Sequence, residues 1–560
     1  MKSAPAASLI VLCSVLFPAP AAPQTMAVQG ETIEVSIVNL DVVVTDKKGH
    51  RIFGLPRDAF EVLEDGKPQP ITNFTEMRQD EVVADSVTGV APGSVLAPQP
   101  KRQSRVIVVF VDHLRLPHFK VDPVFEGLKK LLRETVQTGD TVMIASWNQQ
   151  LTSRLRPTDD LTAISRTLDT LAKESIGGGF YRVEDVGGGE PAATTQFLMD
   201  TGRPATGDDA GAPFDERPLD DITAYNIRQK INAMKAILSS ISAFDGKKVM
   251  ILLTDRLGDY TATQSFNRTP YFTPAYTDGL VAAANAAGVA LYPFYPEGVG
   301  STFQGDASGP GSFAMRRSSG SRRDDDPRVD NARRRPFRPS DYETLMNEMT
   351  ALNAMASQTG GIAAAGTIDI AKMLPSIRGD LGSYYSLAYK VPSNRRGQSH
   401  QVVVKTTNGS YRVRSRRQFI EKSDDAAMRD RVIANLIRAP EGSSIAVTVS
   451  AGRQVRIRQH KYSVPIVVKV PRSSLTMMPA EGTNRGAFTV YLAPGRTLGY
   501  GPGVWTQKVP FTAGTESKDG SFTYEFNLVT DPATDRLSVG VMDDLSHDTG
   551  FARIDLSIAD

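Results

Sequence analysis

Two short stretches decide what the middle of this chain can become. Val106–Val111 is apolar at every position and ends at Asp112; Lys248–Leu253 is apolar after its first residue and runs into Thr254 and Asp255. A strand apolar on both faces must be covered on both, which is the habit of parallel strands packed between helices. The intervening sequence supplies the helices. Phe125, Leu128, Leu131 and Leu132 repeat at helical spacing, as do Leu161, Ile164, Leu168 and Leu171, and Ile222–Ile241 predicts a further helix. Thr141–Trp147 reads as a strand, and Ala282–Ala287 closes a helix before strand Val289–Phe294. Helix Tyr342–Ala356 and strand Tyr384–Tyr389 are expected to finish the sheet. The fold class is therefore α/β, with a doubly wound, mostly parallel, Rossmann-type sheet. In such sheets ligands sit at the carboxyl ends of the strands, where Asp112 and Asp255 both fall.

The flanks read as β structure. In 30–78, Ile33, Val35, Ile37, Leu40, Val42 and Val44 alternate, and Asp46-Lys47-Lys48-Gly49 and Glu64-Asp65-Gly66 supply turns, so a small β module is predicted. Residues 79–103, rich in Pro, Ser, Gly and Ala, read as a linker. The α/β domain spans 104–391, with insertions at 175–220, 256–274 and 298–340 that lack apolar periodicity. Within the last, Arg316–Arg338 holds nine Arg and four Asp, the pattern of a solvated loop. A β-hairpin extension follows at 392–422 around Asn408-Gly409. Beyond a short helix near 426–437, residues 424–560 turn all-β and predict a β-sandwich.

Residues 1–22 have the form of a secretory signal peptide. Lys2 is followed by a mostly apolar stretch from Ala6 to Phe17 and by small residues at Ala19, Ala21 and Ala22. Cys13, the only cysteine of the chain, lies inside it, which removes disulfides and thiol chemistry from the mature protein. No later apolar segment is long enough to span a bilayer as a helix. A secreted or periplasmic location is expected. The net charge of +2 gives no sign of a nucleic-acid partner.

Asp112-His113-Leu114-Arg115-Leu116 and Thr254-Asp255-Arg256 resemble the two acidic corners of a von Willebrand factor A domain. There the first strand ends in D-x-S-x-S and a later one ends in an aspartate of the T-D-G type. The segments "LDVVVTDKKGHRIFGLPRDAFEVLEDGKPQPITNF", "SQTGGIA" and "SYYSLAYKVP" extend the likeness over roughly 33–417, to VWFA-related exported proteins of acidobacterial genomes. The resemblance implies an adhesion or protein-interaction role with a protein ligand of unknown identity. It also implies a metal-dependent adhesion site for Mg²⁺ or Ca²⁺, with Asp112 and Asp255 as its acidic ligands and His113, Arg115 and Arg256 on the binding face. Leu114 and Leu116 stand where the hydroxyl ligands belong, and an alkyl group cannot coordinate a hard cation. A threonine ligand would have to come from Thr194, Thr195, Thr201 or Thr206 in the first insertion. Two readings result: an ion held by other ligands, or a degenerate site in which Arg115 or Arg256 supplies the missing positive charge. The lost oxygens favour the second, with no cofactor.

His113 and His118 beside Asp112 match no standard zinc spacing. Asp543, Asp544 and Asp548 suit either a Ca²⁺ loop or a charged hairpin. Gly177–Gly179 and Gly187–Gly189 lack the Gly-Lys-Ser/Thr ending of a phosphate loop, and neither G-x-S-x-G nor H-E-x-x-H occurs. A binding protein rather than an enzyme is expected, with a hydrolase hidden in the insertions or a structural envelope component as alternatives. N-terminal sequencing of the exported protein should begin within a few residues of Pro23; an intact Met1 chain recovered from the cytoplasm would refute the leader.

Overall fold

Strands that are apolar throughout belong at the centre of a sheet, and that is where Arg105–Asp112 lies. The computed structural model describes residues 35–78, 81–87, 104–112, 121–148, 150–177, 217–254, 257, 259–260, 272–273, 275–294, 339–364, 373–392, 397–440, 442–458, 461–480, 482–495, 503–532 and 534–556. In chain order the first strands are β1 (Val35–Thr45), β2 (Phe60–Glu64), β3 (Lys67–Gln69), β4 (Ile71–Arg78), β5 (Glu81–Val87), β6 (Arg105–Asp112), β7 (Thr141–Asn148), β8 (Gln150–Thr158) and β9 (Lys247–Leu253). A two-residue ribbon, β10 (Asp259–Tyr260) with β11 (Phe272–Thr273), precedes β12 (Val289–Phe294). There follow β13 (Tyr384–Pro392), β14 (Ser399–Thr406), β15 (Arg412–Arg414) and β16 (Gln418–Ile420). The helices are α1 (Val121–Thr135), α2 (Leu161–Gly177), α3 (Arg217–Ser242), α4 (Ala275–Ala287), α5 (Pro339–Thr359), α6 (Leu374–Gly382) and α7 (Asp424–Asn435).

The fold is mixed α/β. One sheet has the order β12-β9-β6-β7-β8, parallel except for β8, which returns antiparallel beside β7. The alternation of β6 separates two cores. Val106, Val108 and Phe110 share a cluster with Ile231, Met234 and Ile237 of α3, Leu280 of α4 and Leu352 of α5. Ile107, Val109 and Val111 share another with Phe125 and Leu128 of α1, Leu168 of α2 and Ile377 of α6. Each such side chain, fully buried, contributes about 1.5–3 kcal/mol. Gly246, just before β9, has φ +83°, and a Cβ there would stand 1.9 Å from the Ser104 carbonyl oxygen, so only glycine suits that turn.

Strand β13 does not finish the parallel sheet. It pairs antiparallel with β1 on one side and β4 on the other, in a sheet ordered β15-β1-β13-β4-β5. A second sheet, β16-β14-β2-β3, faces a common core with it, where Leu40, Val42, Phe60, Phe74, Tyr385, Leu387, Tyr389 and Val402 meet. The physical reason lies in β13 itself. Tyr385, Leu387, Tyr389 and Val391 alternate toward that core, a pattern suited to an antiparallel strand. Residues from both flanks of the central domain thus interleave in one β unit. Glu81–Val87, expected within a linker, is a strand whose backbone is paired by β4. Residues 1–34 and most of the three insertions lie outside the described residues.

The C-terminal region is all-β, with strands β17 (Thr448–Ala451), β18 (Val455–Arg458), β19 (Lys461–Pro471), β20 (Met478–Ala480), β21 (Thr483–Gly495), β22 (Trp505–Thr512), β23 (Ser521–Thr530), β24 (Arg536–Asp543) and β25 (Thr549–Asp555). They form two antiparallel sheets, one built on β19 and one on β21 and β24, over a core containing Ile466, Val468, Phe488, Val490, Phe522 and Val539. The acidic turn after β24 is a scaffold. Asp543 accepts from the backbone N–H of Thr476, Leu545 and Ser546, and Asp544 pairs with Lys508 at 2.8 Å.

A buried carboxylate helps to join the β unit to the parallel sheet, where Lys247 of β9 also approaches Asp41 of β1 at 3.8 Å. Asp380, fully buried at the end of α6, receives two hydrogen bonds from Arg414 (2.7 and 2.9 Å), one from the Tyr292 hydroxyl at 3.2 Å, and the Arg51 guanidinium. Burial alone would raise its pKa, but Arg414 first and then Arg51 and Lys247 hold it below the usual carboxylate range. A depressed carboxylate contributes stability above the unfolded-state pKa, and that stability is lost as pH falls through the folded one. Asp380→Asn should therefore destabilise the protein by about 3–5 kcal/mol at neutral pH. The difference from wild type, followed by denaturant melts, should hold down to about pH 4 and shrink below it. A difference that already vanishes near neutrality would contradict the assignment.

Candidate functional site

Asp112 is the last residue of β6, and the all-apolar run before it carries it to the carboxyl edge of the sheet between β7 and β9. Thr254 directly follows β9 on the same edge, with its N–H donated to the Phe294 carbonyl at 3.2 Å. Both are sealed from solvent, Asp112 at 1% exposure and Thr254 at 0%. A carboxylate so placed needs positive charge or hydrogen-bond donors. It receives both. The Lys230 ammonium, 5% exposed, lies 2.5 Å from Asp112 Oδ2 and 3.4 Å from Thr254 Oγ1, and the Thr254 hydroxyl donates to Asp112 Oδ2 at 3.3 Å. Each of the three polar groups thus contacts the other two.

Helix α3 delivers the lysine. Ile227, Ile231, Met234, Ile237, Leu238 and Ile241 form its buried stripe against the β6 side chains Val106, Val108 and Phe110. Lys230 stands three residues after Ile227 and four before Met234, so it rides on the apolar face of an amphipathic helix. That position was the available signal: a lysine at a core phase requires a buried anion. The sequence offers Arg115 or Arg256 for the compensating charge. Among the described residues it is Lys230 that meets Asp112. His113, Leu114, Arg115, Leu116 and His118 lie outside the described residues, as do Asp255, Arg256 and the four candidate threonines.

Among the described residues, the contact of Lys230 with Asp112 Oδ2 opposes a divalent ion at that oxygen. A cation taken up there would have to displace Lys230 against like-charge repulsion. Nor does the triangle suit catalysis on a substrate, because each member is buried and engaged by the other two.

The amino end of the same sheet carries a cavity of about 270 Å³, lined in part by Asp41, Lys247, Lys248 and Arg416. Burial, then Lys422 and Arg416, push the Lys248 ammonium down to about 8. Its Nζ donates to the carbonyls of Ser242 and Phe244 at 2.9 and 2.8 Å, which ties down the end of α3.

No family model matches the chain, and no curated protein does. Solved structures give distant likenesses. An aerotolerance-related membrane protein from Bacteroides fragilis shares 10% identity, with 50% of this chain and 98% of that chain covered and a TM-score of 0.23. Proximal thread matrix protein 1 from the mussel byssus, described with a zinc-occupied MIDAS motif, shares 14% identity over 34% of this chain and 38% of its own, at a TM-score of 0.17. The pilus adhesin SpaC from Lactobacillus rhamnosus GG shares 9% identity over 92% of this chain and 58% of its own, at 0.24. Likenesses of this size establish neither a family nor an activity.

Removing one member of a buried pair strands the other. Lys230→Ala should cost about 3–5 kcal/mol, whereas Lys230→Met combined with Asp112→Leu should recover most of that loss. Thr254→Val should cost only about 1 kcal/mol. A double-mutant cycle by chemical denaturation measures the coupling. Additive losses at Lys230 and Asp112 would show that the pair does not interact.

Proposed function

We propose that this is an exported interaction protein whose central unit is a doubly wound, von Willebrand A-like domain, with a protein ligand bound at the carboxyl edge of the parallel sheet. One observation carries the reading. At the corner where the resemblance implies a metal-bridged contact, Lys230 already neutralises Asp112 from within the fold. In this reading the pair, in place of an ion, holds the edge in one arrangement. Specificity then falls to the loops that leave β6 and β9, with His113, Arg115, Arg256 and Asp255 as contact residues. The Arg side chains suit carboxylates on the partner, which they bind in bidentate fashion. No metal cofactor is required in this scheme.

The test is metal independence together with dependence on the loops. Millimolar Mg²⁺ or Ca²⁺ should leave the thermal midpoint unchanged, whereas an ion at a hundred times its dissociation constant would add about 2.7 kcal/mol. Arg115→Ala with Arg256→Ala should abolish capture of the native ligand from the extracytoplasmic fraction without altering the melt. Saturable, EDTA-reversible stabilisation by Mg²⁺ that Asp112→Ala removes would overturn the proposal. Adding Leu114→Ser and Leu116→Ser to Lys230→Ala should create a response to Mg²⁺ where the wild type has none.

A further inference from the structure

The turn between β2 and β3 sets up a second cluster, remote from the first. Asp65 and Gly66 take φ of +48° and +78°, the left-handed pair of a tight hairpin, and aspartate tolerates that region better than most residues. The backbone of Asp65 is fixed by its N–H on the Gln401 carbonyl (2.9 Å), and its Oδ1 accepts from the Gln401 N–H (2.9 Å). Its other oxygen, Oδ2, lies 2.8 Å from His400 Nδ1. Glu64 Oε1 approaches the same nitrogen at 3.6 Å. His400 and Glu64 are 4% and 2% exposed, while the Asp65 side chain stays open to solvent.

We propose that Glu64, Asp65 and His400 form a binding site for a divalent transition ion of the Zn²⁺ class. An ion held at about 2.0–2.2 Å by nitrogen and oxygen in a tetrahedron sets its ligand atoms roughly 3.4 Å apart. The two observed separations from His400 Nδ1, 2.8 and 3.6 Å, bracket that edge, and all three ligand atoms lie within 4.8 Å of one another. Among the described residues no other group of three potential ligands gathers so closely. One imidazole with two carboxylates selects zinc-type ions over Mg²⁺ or Ca²⁺, which take oxygen alone. Two negative charges meet the charge of a divalent ion, and the solvent-facing side at Asp65 leaves room for water as a fourth ligand.

The surroundings are those of a supported site. The Tyr389 side chain is buried on β13, and its hydroxyl has no hydrogen-bond partner among the described residues. Phe419 stacks on His400 with centroids 6.4 Å apart and fixes the plane of the ring. An ion here would clip the β2–β3 turn to β14 and reinforce the β unit that encloses the two ends of the central domain.

Calorimetric titration of the full untagged chain with Zn²⁺, and visible absorption with Co²⁺, test the site. About one equivalent should bind, with a Co²⁺ spectrum typical of mixed nitrogen and oxygen ligation. His400→Ala should abolish both signals. Glu64→Gln and Asp65→Asn keep side-chain shape and test the site even where His400→Ala fails to fold; each should weaken binding by at least roughly tenfold. No saturable binding to the wild type, or binding unchanged in Glu64→Gln and Asp65→Asn, would overturn the proposal. The reading of the sheet edge is tested separately, with Mg²⁺ and Ca²⁺, so either can fail alone.

Discussion

Asp380 is the buried charge on which the junction between the β unit and the parallel sheet depends. A carboxylate without access to water is tolerable only when donors surround it, and here they come from three distant parts of the chain: Arg51 after β1, Tyr292 on β12 and Arg414 on β15. Withdrawing Asp380 would deprive all three of their shared partner. The register of β1 against β13 and β15, and the seat of α6 on the parallel sheet, are thereby coupled. A similar pair closes the start of β6, where Arg105 reaches Asp140 at 2.7 Å with both side chains buried. Burial would raise Asp140, but hydrogen bonds from Arg105 and Gln137 hold it below its ordinary value.

The Lys230–Asp112 pair follows the same electrostatic rule at a different place. Asp380 and Asp140 serve the junction and the amino end of the sheet, whereas Asp112 stands at the carboxyl edge. A fixed ammonium differs from a bound ion in one consequential way. It is covalently part of the fold, so it neutralises the edge at all times and is not shared with an incoming ligand. The Lys230 ammonium is engaged by both Asp112 and Thr254.

Local pattern carried the elements with strong periodicity. The apolar β6 and β9 runs, the helices around Leu128, Leu168 and Ile237, and the long C-terminal strands through Val468, Val490 and Val539 follow from side-chain spacing alone, because burial on one face or two leaves a repeat in the sequence. The strands β8 and β22 and the helix α6 escaped it. Most positions of β8 and β22 are partly or fully exposed, so no apolar alternation marks them, and α6 is short, with Gly379 within it.

Asp112 was legible because an acid at the end of an apolar strand is conspicuous; Lys230 was overlooked because one polar residue in a long amphipathic helix resembles ordinary variation. The sequence alone determined that alternating strands and helices would build a largely parallel sheet and would carry Asp112 to its carboxyl edge. Tertiary structure alone decided which cation meets that acid, that β13 leaves the parallel sheet for β1 and β4, and that Glu64, Asp65 and His400 converge. The reason is separation along the chain. Lys230 lies 118 residues from Asp112, and His400 lies 335 from Asp65. Periodicity reports which face of an element is buried, but not which distant element covers it.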